Sequence, residues 1–238
     1  MYKRIILKLS GETLAPETLE GAKSPTFDAA RVEEVARVIA ELAGMGVQVG
    51  VVMGGGNIWR GRFSEEMNAV NADQMGMLAT VINALAVEDA LCRLGQKATV
   101  FTAQEMNRFA ALYTRDAADA ALRAGEVALL AGGTGNPHFT TDTAAALRAA
   151  EIGADAVFKG TTVDAVYDSD PRKNPNARPI KDITYRQTIE MGIQVMDVTA
   201  FALCSERDVK EIRIFSMDDP QNIVRVAQGE DLGTRVHA

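Results

Sequence analysis

The chain has 238 residues, 47% of them hydrophobic and 24% charged, with a formal net charge of -7. That composition is globular and long enough for one large core. Its acidity argues against a general nucleic-acid binder, which needs a basic surface.

Residues 2–9 read as a first strand, which leaves no place for a signal peptide after Met1. No apolar run approaches the roughly 20 residues that span a bilayer. Cys92 and Cys204 stand far apart and outside any CxxC, so neither a disulfide framework nor a zinc site is expected. Both are read as small buried apolar residues. A cytoplasmic protein with no membrane or nucleic-acid partner is expected.

After the first strand comes an irregular stretch over residues 14–27, then a helix over 29–46. Its stripe of Val32, Val35, Ala36, Ile39, Leu42 and Ala43 has helical spacing. Asp28 suits its N-cap, and Gly46 the position just past its end. A strand over 47–53 and a helix over 72–94 follow, with Met75 and Met77 read as core. Then come a strand over 98–102, a helix over 115–124, a strand over 127–131, a helix over 143–151 and a strand over 156–159. Residues 164–182 hold Pro171, Pro175 and Pro179 and read as a surface excursion, with a short hairpin around 163–167. A helix over 185–191, a strand over 211–215 and a helix over 220–226 complete the pattern. Short strands that are apolar on both faces belong inside a parallel sheet. Regular strand–helix alternation covers such a sheet on both sides through right-handed crossovers. The expectation is one α/β domain over residues 1–238, a three-layer αβα sandwich on a mainly parallel sheet.

Ligands of such sheets sit outside the carboxyl ends of the strands. Three Gly-containing turns fall there: Lys8-Leu9-Ser10-Gly11-Glu12, Gly54-Gly55-Gly56-Asn57, and Gly132-Gly133-Thr134-Gly135-Asn136-Pro137-His138-Phe139-Thr140-Thr141-Asp142. A strand, a Gly-rich turn and a helix start put backbone N–H groups and a positive helix end before an anion. Three such turns at one edge suggest a crevice that holds several phosphates.

Lys8 ends an apolar strand and can reach a β- or γ-phosphate as a point charge, while the Ser10 and Gly11 amides hold phosphate oxygens. The bland alternative is a lysine that merely snorkels from the strand end. The triple glycine lets backbone approach phosphate without Cβ clashes, and Arg60 or Arg62 could clamp an oxygen. It could equally be a tight turn with solvated arginines. Asp142 and Asp73 each stand near a helix start, where an acid can act on a ligand or simply cap the helix. Asp164, Asp168 and Asp170 surround Tyr167, as ligand-orienting groups or as loop solubilisers. There is no GxxxxGK[ST] and no strand–GxGxxG–helix fingerprint, which sets aside P-loop kinases and dinucleotide dehydrogenases. There is also no GxSxG elbow and no HExxH.

These turns, with Asp73-Gln74-Met75-Gly76-Met77-Leu78-Ala79-Thr80, Thr162-Val163-Asp164-Ala165-Val166-Tyr167 and Met196-Asp197-Val198-Thr199-Ala200-Phe201, resemble in order the signatures of the amino acid kinase family, in its uridylate (UMP) kinase branch. The similarity runs along essentially the whole chain. The block from Gly133 to Asp142 is specific to that branch, whereas the Lys-x-Ser-Gly and triple-Gly turns are shared more widely. The resemblance implies an αβα sandwich and transfer of the γ-phosphoryl group of Mg-ATP to UMP in pyrimidine nucleotide biosynthesis. It implies that Lys8, Leu9, Ser10, Gly11, Gly56 and Arg60 hold ATP phosphates, with Thr161, Tyr167 and Asp170 at its nucleoside end. Gly55, Asp73, Thr134, Gly135, Asn136, Pro137, His138, Phe139, Thr140 and Thr141 would hold UMP. Lys8 and Asp142 would lie closest to the transferred group, with Lys159 as a further candidate. A homohexamer activated by GTP and inhibited by UTP is also implied. Rival readings are another kinase of this fold, acting on carbamate or acetylglutamate, and a nucleotide-binding regulatory protein without turnover. His138 departs from the family's Asn-Pro-Phe-Phe, and residues 20–28 lack its usual Gly-Phe-Gly.

Overall fold

The computed structural model describes residues 2–16, 26–60, 67–169, 171 and 173–238. Asp170 and Arg62, both named above, lie outside the described residues, as does most of the stretch over 20–28.

The first half alternates as the patterning requires: β1 (Arg4–Leu9), α1 (Ala29–Gly44), β2 (Gln48–Met53), α2 (Ala69–Arg93), β3 (Ala98–Thr102), β4 (Ala111–Leu112), α3 (Arg115–Arg123) and β5 (Val127–Ala131). The second half runs α4 (Thr141–Ile152), β6 (Ala156–Thr161), β7 (Val166–Tyr167), β8 (Pro179–Ile180), β9 (Asp182–Thr184), α5 (Tyr185–Glu190), α6 (Val198–Glu206), β10 (Glu211–Ser216), α7 (Asn222–Ala227) and β11 (Thr234–His237). Nine strands form one sheet in the order β4-β3-β5-β2-β1-β6-β10-β11-β9. Every neighbouring pair is parallel except β10 with β11.

Strand side chains alternate between two cores, as the period of two demands. Ile5, Leu7 and Leu9 of β1 and Phe158 of β6 pack with α1, α2 and α7 on one face. Ile6 and Val157 pack with α3, α4 and α6 on the other. The expected three layers are therefore present. Asp28 caps α1, accepting from Ala30 N and Arg31 N, and Gly46 beyond it has φ +85.

Four expectations need correction. The strand near residue 163 is β7, and its partner is β8 across the proline-rich excursion, because Tyr167 pairs with Pro179 rather than within a local hairpin. Cys92 is exposed, since it falls on the outer face of α2, whereas Cys204 is buried. Met75 is exposed on that same outer face. Finally, α2 contains an 18-residue window with a mean hydropathy of 1.5, long and apolar enough by composition to span a bilayer. Asp73 and Gln74, then Thr80 and Asn83, then Glu88 and Asp89 interrupt it, so it does not show as one unbroken apolar run. Its inner face, with Val81, Ala84 and Val87, belongs to the core beneath the sheet.

Candidate active site

Register places Lys8 of β1 opposite Lys159 of β6. Both share the strand parity of Ile6 and Val157, so both face the α4 layer. On that layer Thr140 is the N-cap of α4, its hydroxyl accepting from Asp142 N at 3.1 Å. Asp142 is therefore not the cap. It sits in the first turn, buried, and points at the two lysines. Lys159 Nζ donates to Asp142 Oδ2 at 2.5 Å, and Lys8 Nζ stands 2.8 Å from Oδ1. The Lys8 contact is an ion pair whose alignment falls outside a hydrogen bond, so Oδ1 is buried without a hydrogen-bond donor.

The electrostatics follow from burial of three charges together. Burial opposes ionisation of Asp142, but the Lys8 and Lys159 ammonium groups outweigh it and hold the carboxyl below its ordinary value. Burial is also the largest influence on Lys159, followed by repulsion from Lys8, and the carboxylate offsets only part of it. The Lys159 ammonium is pushed down to about 8. The result is a net positive knot, two cations to one anion, at the carboxyl end of the two central strands.

A cavity of about 650 Å³ opens over this knot. Lys8, Ser10, Gly56, Arg60, Lys159 and Thr161 line it, so most of the residues assigned to ATP converge there. Ser10 caps a 3-10 turn over Gly11–Leu14. Arg60 donates to Gly56 O at 3.1 Å and pairs with Glu12. Leu9 and Gly11 do not line the cavity. The Leu9 side chain is in the core, and Gly11 is buried where the first two turns meet: a Cβ there would lie 2.6 Å from Gly54 O. Tyr167 lies apart from the cavity lining, its hydroxyl donating to Asp164 Oδ1 at 2.9 Å.

The triple glycine and the third turn need glycine for different reasons. None of Gly54, Gly55 and Gly56 has positive φ. At Gly55 a Cβ would lie 2.8 Å from Ala79 Cβ and 2.9 Å from Gly76 O, so close approach to α2 is the constraint. Gly132, Gly133 and Gly135 instead have φ of 76, 61 and 84, a conformation that disfavours a side chain. His138 adopts φ 69 without being glycine. Its N–H donates to Asp73 Oδ2 at 2.7 Å, which anchors the strained turn to α2. Asn68 caps α2, so Asp73 is free of that duty.

A second cavity, about 390 Å³, lies beside this third turn. Gly135 and Pro137 line it, together with Gln74, Met77, Thr102 and Gln104. Thr134 bonds within the turn, its Oγ1 donating to Asn136 O at 3.2 Å. Phe139 is exposed, Thr140 donates to Asp197, and Thr141 opens α4. Gly55 is walled off against α2 rather than open to either cavity.

Sequence reasoning missed the weight of Lys159 and missed Thr80, Asn83 and Gln104. Gln104 Nε2 donates to Gly135 O at 2.8 Å and braces the turn. Thr80 and Asn83 are buried polar residues inside an apolar helix, and that anomaly was the readable signal.

The sequence profile of the amino acid kinase family matches residues 3–216. Uridylate kinase of Parabacteroides distasonis is 48% identical over 238 residues, covering 99% of this chain and 98% of its own. The chain belongs to the amino acid kinase family, in its uridylate kinase branch. Uridylate kinase of Bacteroides thetaiotaomicron is 46% identical with the same coverage. Among solved structures, UMP kinase from Bacillus anthracis superposes with a TM-score of 0.92 at 35% identity, covering 99% of this chain and 96% of its own. UMP kinase from Ureaplasma parvum gives 0.91 at 35% identity, with full coverage of both chains. The amino acid kinase fold thus accounts for all three layers and for the strand ends on which the lysines stand.

Proposed function

We propose that this uridylate kinase family member transfers the γ-phosphoryl group of ATP to UMP, giving UDP and ADP. The observation that carries the reading is the Lys8–Asp142–Lys159 knot, placed where the turns after β1, β2 and β5 converge.

The acceptor is itself a phosphate with a second pKa of about 6, so it is ionised at neutral pH and no side chain has to remove its proton. The difficulty is to bring two anions together. The large cavity supplies Lys8, Lys159 and Arg60 to the donor side. The third turn supplies backbone N–H groups and the N-terminus of α4 to the acceptor. Catalysis is then positioning and electrostatic stabilisation. Asp142 holds both ammonium groups in place between turnovers and needs no role as a base. Of the residues assigned from the family, Lys8, Ser10, Gly56, Arg60 and Thr161 are the donor set. Asp73 and the segment from Thr134 to Thr141 form the acceptor set, with Phe139 and Thr140 at the uracil edge.

ATP kinases work with a divalent cation, here magnesium. Among the described residues no three His, Cys, Asp or Glu side chains cluster. Asp142 is the carboxylate at the knot, and a phosphate that draws Lys8 from its Oδ1 would free that oxygen for the ion. One carboxylate plus nucleotide phosphates and water is a normal magnesium environment. The ion would neutralise phosphate charge, and Asp142 would hold it.

The outer face of α2 bears exposed Val70, Met75, Leu78 and Ile82. A stripe of that kind on a single helix marks a protein contact. We assign it to assembly between copies of the chain, as in a hexamer, with GTP and UTP as effectors. The chain is read as one domain in the cytoplasm.

The test is ADP release with UMP, CMP, acetylglutamate or no acceptor. UMP alone should support fast turnover, because a site that pairs with one base edge leaves its groups unpaired against the other. Equal rates with UMP and CMP would remove the uracil assignment, and a rate with acetylglutamate would move the chain to another branch of the fold.

A further inference from the structure

Two buried polar side chains stand three residues apart on the inner face of α2. Asn83 is fully buried. Its Nδ2 donates to Gly54 O at 2.7 Å and to Asn57 Oδ1 at 2.8 Å, and its Oδ1 accepts from Asn57 Nδ2 at 3.0 Å. Thr80 Oγ1 accepts from Gly132 N at 2.8 Å and donates to Met77 O at 2.7 Å. Residues three apart lie on one helix face. One turn of one helix therefore grips the turn after β2 with one side chain and the turn after β5 with the other.

The neighbouring residues tighten the same grip. A Cβ at Gly55 would strike Ala79 Cβ at 2.8 Å, and one at Gly11 would lie 2.9 Å from Asn83 Nδ2. All three Gly turns thus abut residues 76–83 of α2. Neither Thr80 nor Asn83 lines either large cavity. Burying a hydroxyl and an amide costs stability unless every group is paired, and an alanine or leucine would fill this face without that cost. Their pairing is spent on the two turns rather than on the core.

We propose that Asn83 and Thr80 are positioning residues that fix the separation between the donor and acceptor phosphates. The inference rests on the reading that the turns after β1 and β2 hold ATP and the turn after β5 holds UMP. Asn83 would govern the donor side and Thr80 the acceptor side, through backbone groups rather than by touching either nucleotide.

The test is a crossed kinetic experiment on the full chain. Thr80→Val keeps the shape and leaves Gly132 N–H buried without an acceptor. It should raise the KM for UMP roughly tenfold, the expected effect of one unmade buried hydrogen bond, and leave the KM for ATP within about twofold. Asn83→Asp keeps the shape and removes both donors. It should raise the KM for ATP roughly tenfold and spare that for UMP. Thr80→Ser should restore the UMP value. A purely structural role would reduce the active fraction, and hence apparent kcat, with both KM values unchanged, and that result overturns the inference. So does a shift shared equally by both substrates. If Asn83→Asp does not fold, Asn83→Ala removes the same donors without a buried charge, at a position that lines neither cavity, and must reproduce the ATP-selective shift. If the wild-type chain does not phosphorylate UMP, the proposed reaction fails separately. Thermal stabilisation by ATP alone then decides: Asn83→Asp must lose it and Thr80→Val must retain it, and the opposite pattern rejects the inference.

Discussion

Lys8 and Lys159 each lie against a different oxygen of Asp142, so both cations are paired before a phosphate arrives. Incoming phosphates must therefore draw the ammonium groups from a carboxylate that is itself buried, and this keeps the lysines in place without trapping them. Lys8→Ala removes a charge proposed to face the transferred group. The rate should fall on the order of a hundredfold or more, as when one preorganised donor is lost. The fold should survive, because Lys159 still pairs with Asp142 and no buried carboxylate is stranded. Lys8→Arg should not restore full activity, because a planar fork cannot occupy the place of a compact ammonium. Stopped-flow turnover and a melting curve read both outcomes. Lys159 carries a pH signature. Its ammonium is held at about 8 against an ordinary 10.5, so between those values the unfolded chain binds more protons than the folded one. Stability from this group therefore rises with pH across that window and is lowest below it, where the folded chain must carry the disfavoured charge. Lys159→Met should remove that upward slope in denaturant titrations. Nucleotide phosphates favour the charged form, so ATP binding near pH 8 should take up a proton in the wild type and none in Lys159→Met. Calorimetry in buffers of differing ionisation enthalpy measures it.

At the scale of elements, α4 and α2 share the work of the site, and they were unequally legible. The start of α4 was read near Thr143 because Thr140, Thr141, Asp142 and Thr143 all suit a helix start. Geometry selects Thr140, whose hydroxyl takes Asp142 N and also reaches Asp197 beside α6. Thr140→Ala should cost about 1 kcal/mol in urea unfolding, the usual loss for an N-cap. It should also lower kcat, because Asp142 sits on the turn that is freed. Thr140→Ser should keep both. Central strands β1, β2, β3, β5, β6 and β10 were readable because burial on both faces leaves continuous apolar runs. Helix α6 was not, since Val198–Glu206 has little one-sided patterning. Strands β4, β7, β8, β9 and β11 have four residues or fewer, too few to show a period of two. The turns at the strand ends were legible from composition alone. The braces behind them were not, because a buried Thr or Asn inside a helix gives no local hint of which backbone it will meet.

For the whole molecule, the sheet divides the labour. One layer, α1, α2 and α7, faces the core side of the phosphate turns, while the other delivers Asp142 to the lysines. Because α2 carries an apolar outer stripe as well as its inner braces, the proposed assembly contact and the proposed active site fall on one helix. Leu78 and Ile82 are 51% and 48% exposed. Leu78→Glu combined with Ile82→Glu should shift sedimentation to a smaller species while circular dichroism stays native, since neither side chain supports the core. An unchanged sedimentation profile would place the contact elsewhere.

The wedge made by β11 has a consequence for how the protein is made. This strand lies between β10 and β9. Its fully buried Thr234 donates to Ile180 O and accepts from Val166 N, tying the β7–β8 excursion to the sheet. Of all the strands in the sheet, β11 leaves the ribosome last. The central strands and both lysines can assemble while synthesis continues, but β9 has no partner until β11 has emerged. A nascent chain thus completes its phosphate end well before the region around Tyr167. Any messenger cut short ahead of Thr234 yields a chain with an open sheet edge, a substrate for proteolysis and aggregation rather than a weakened kinase.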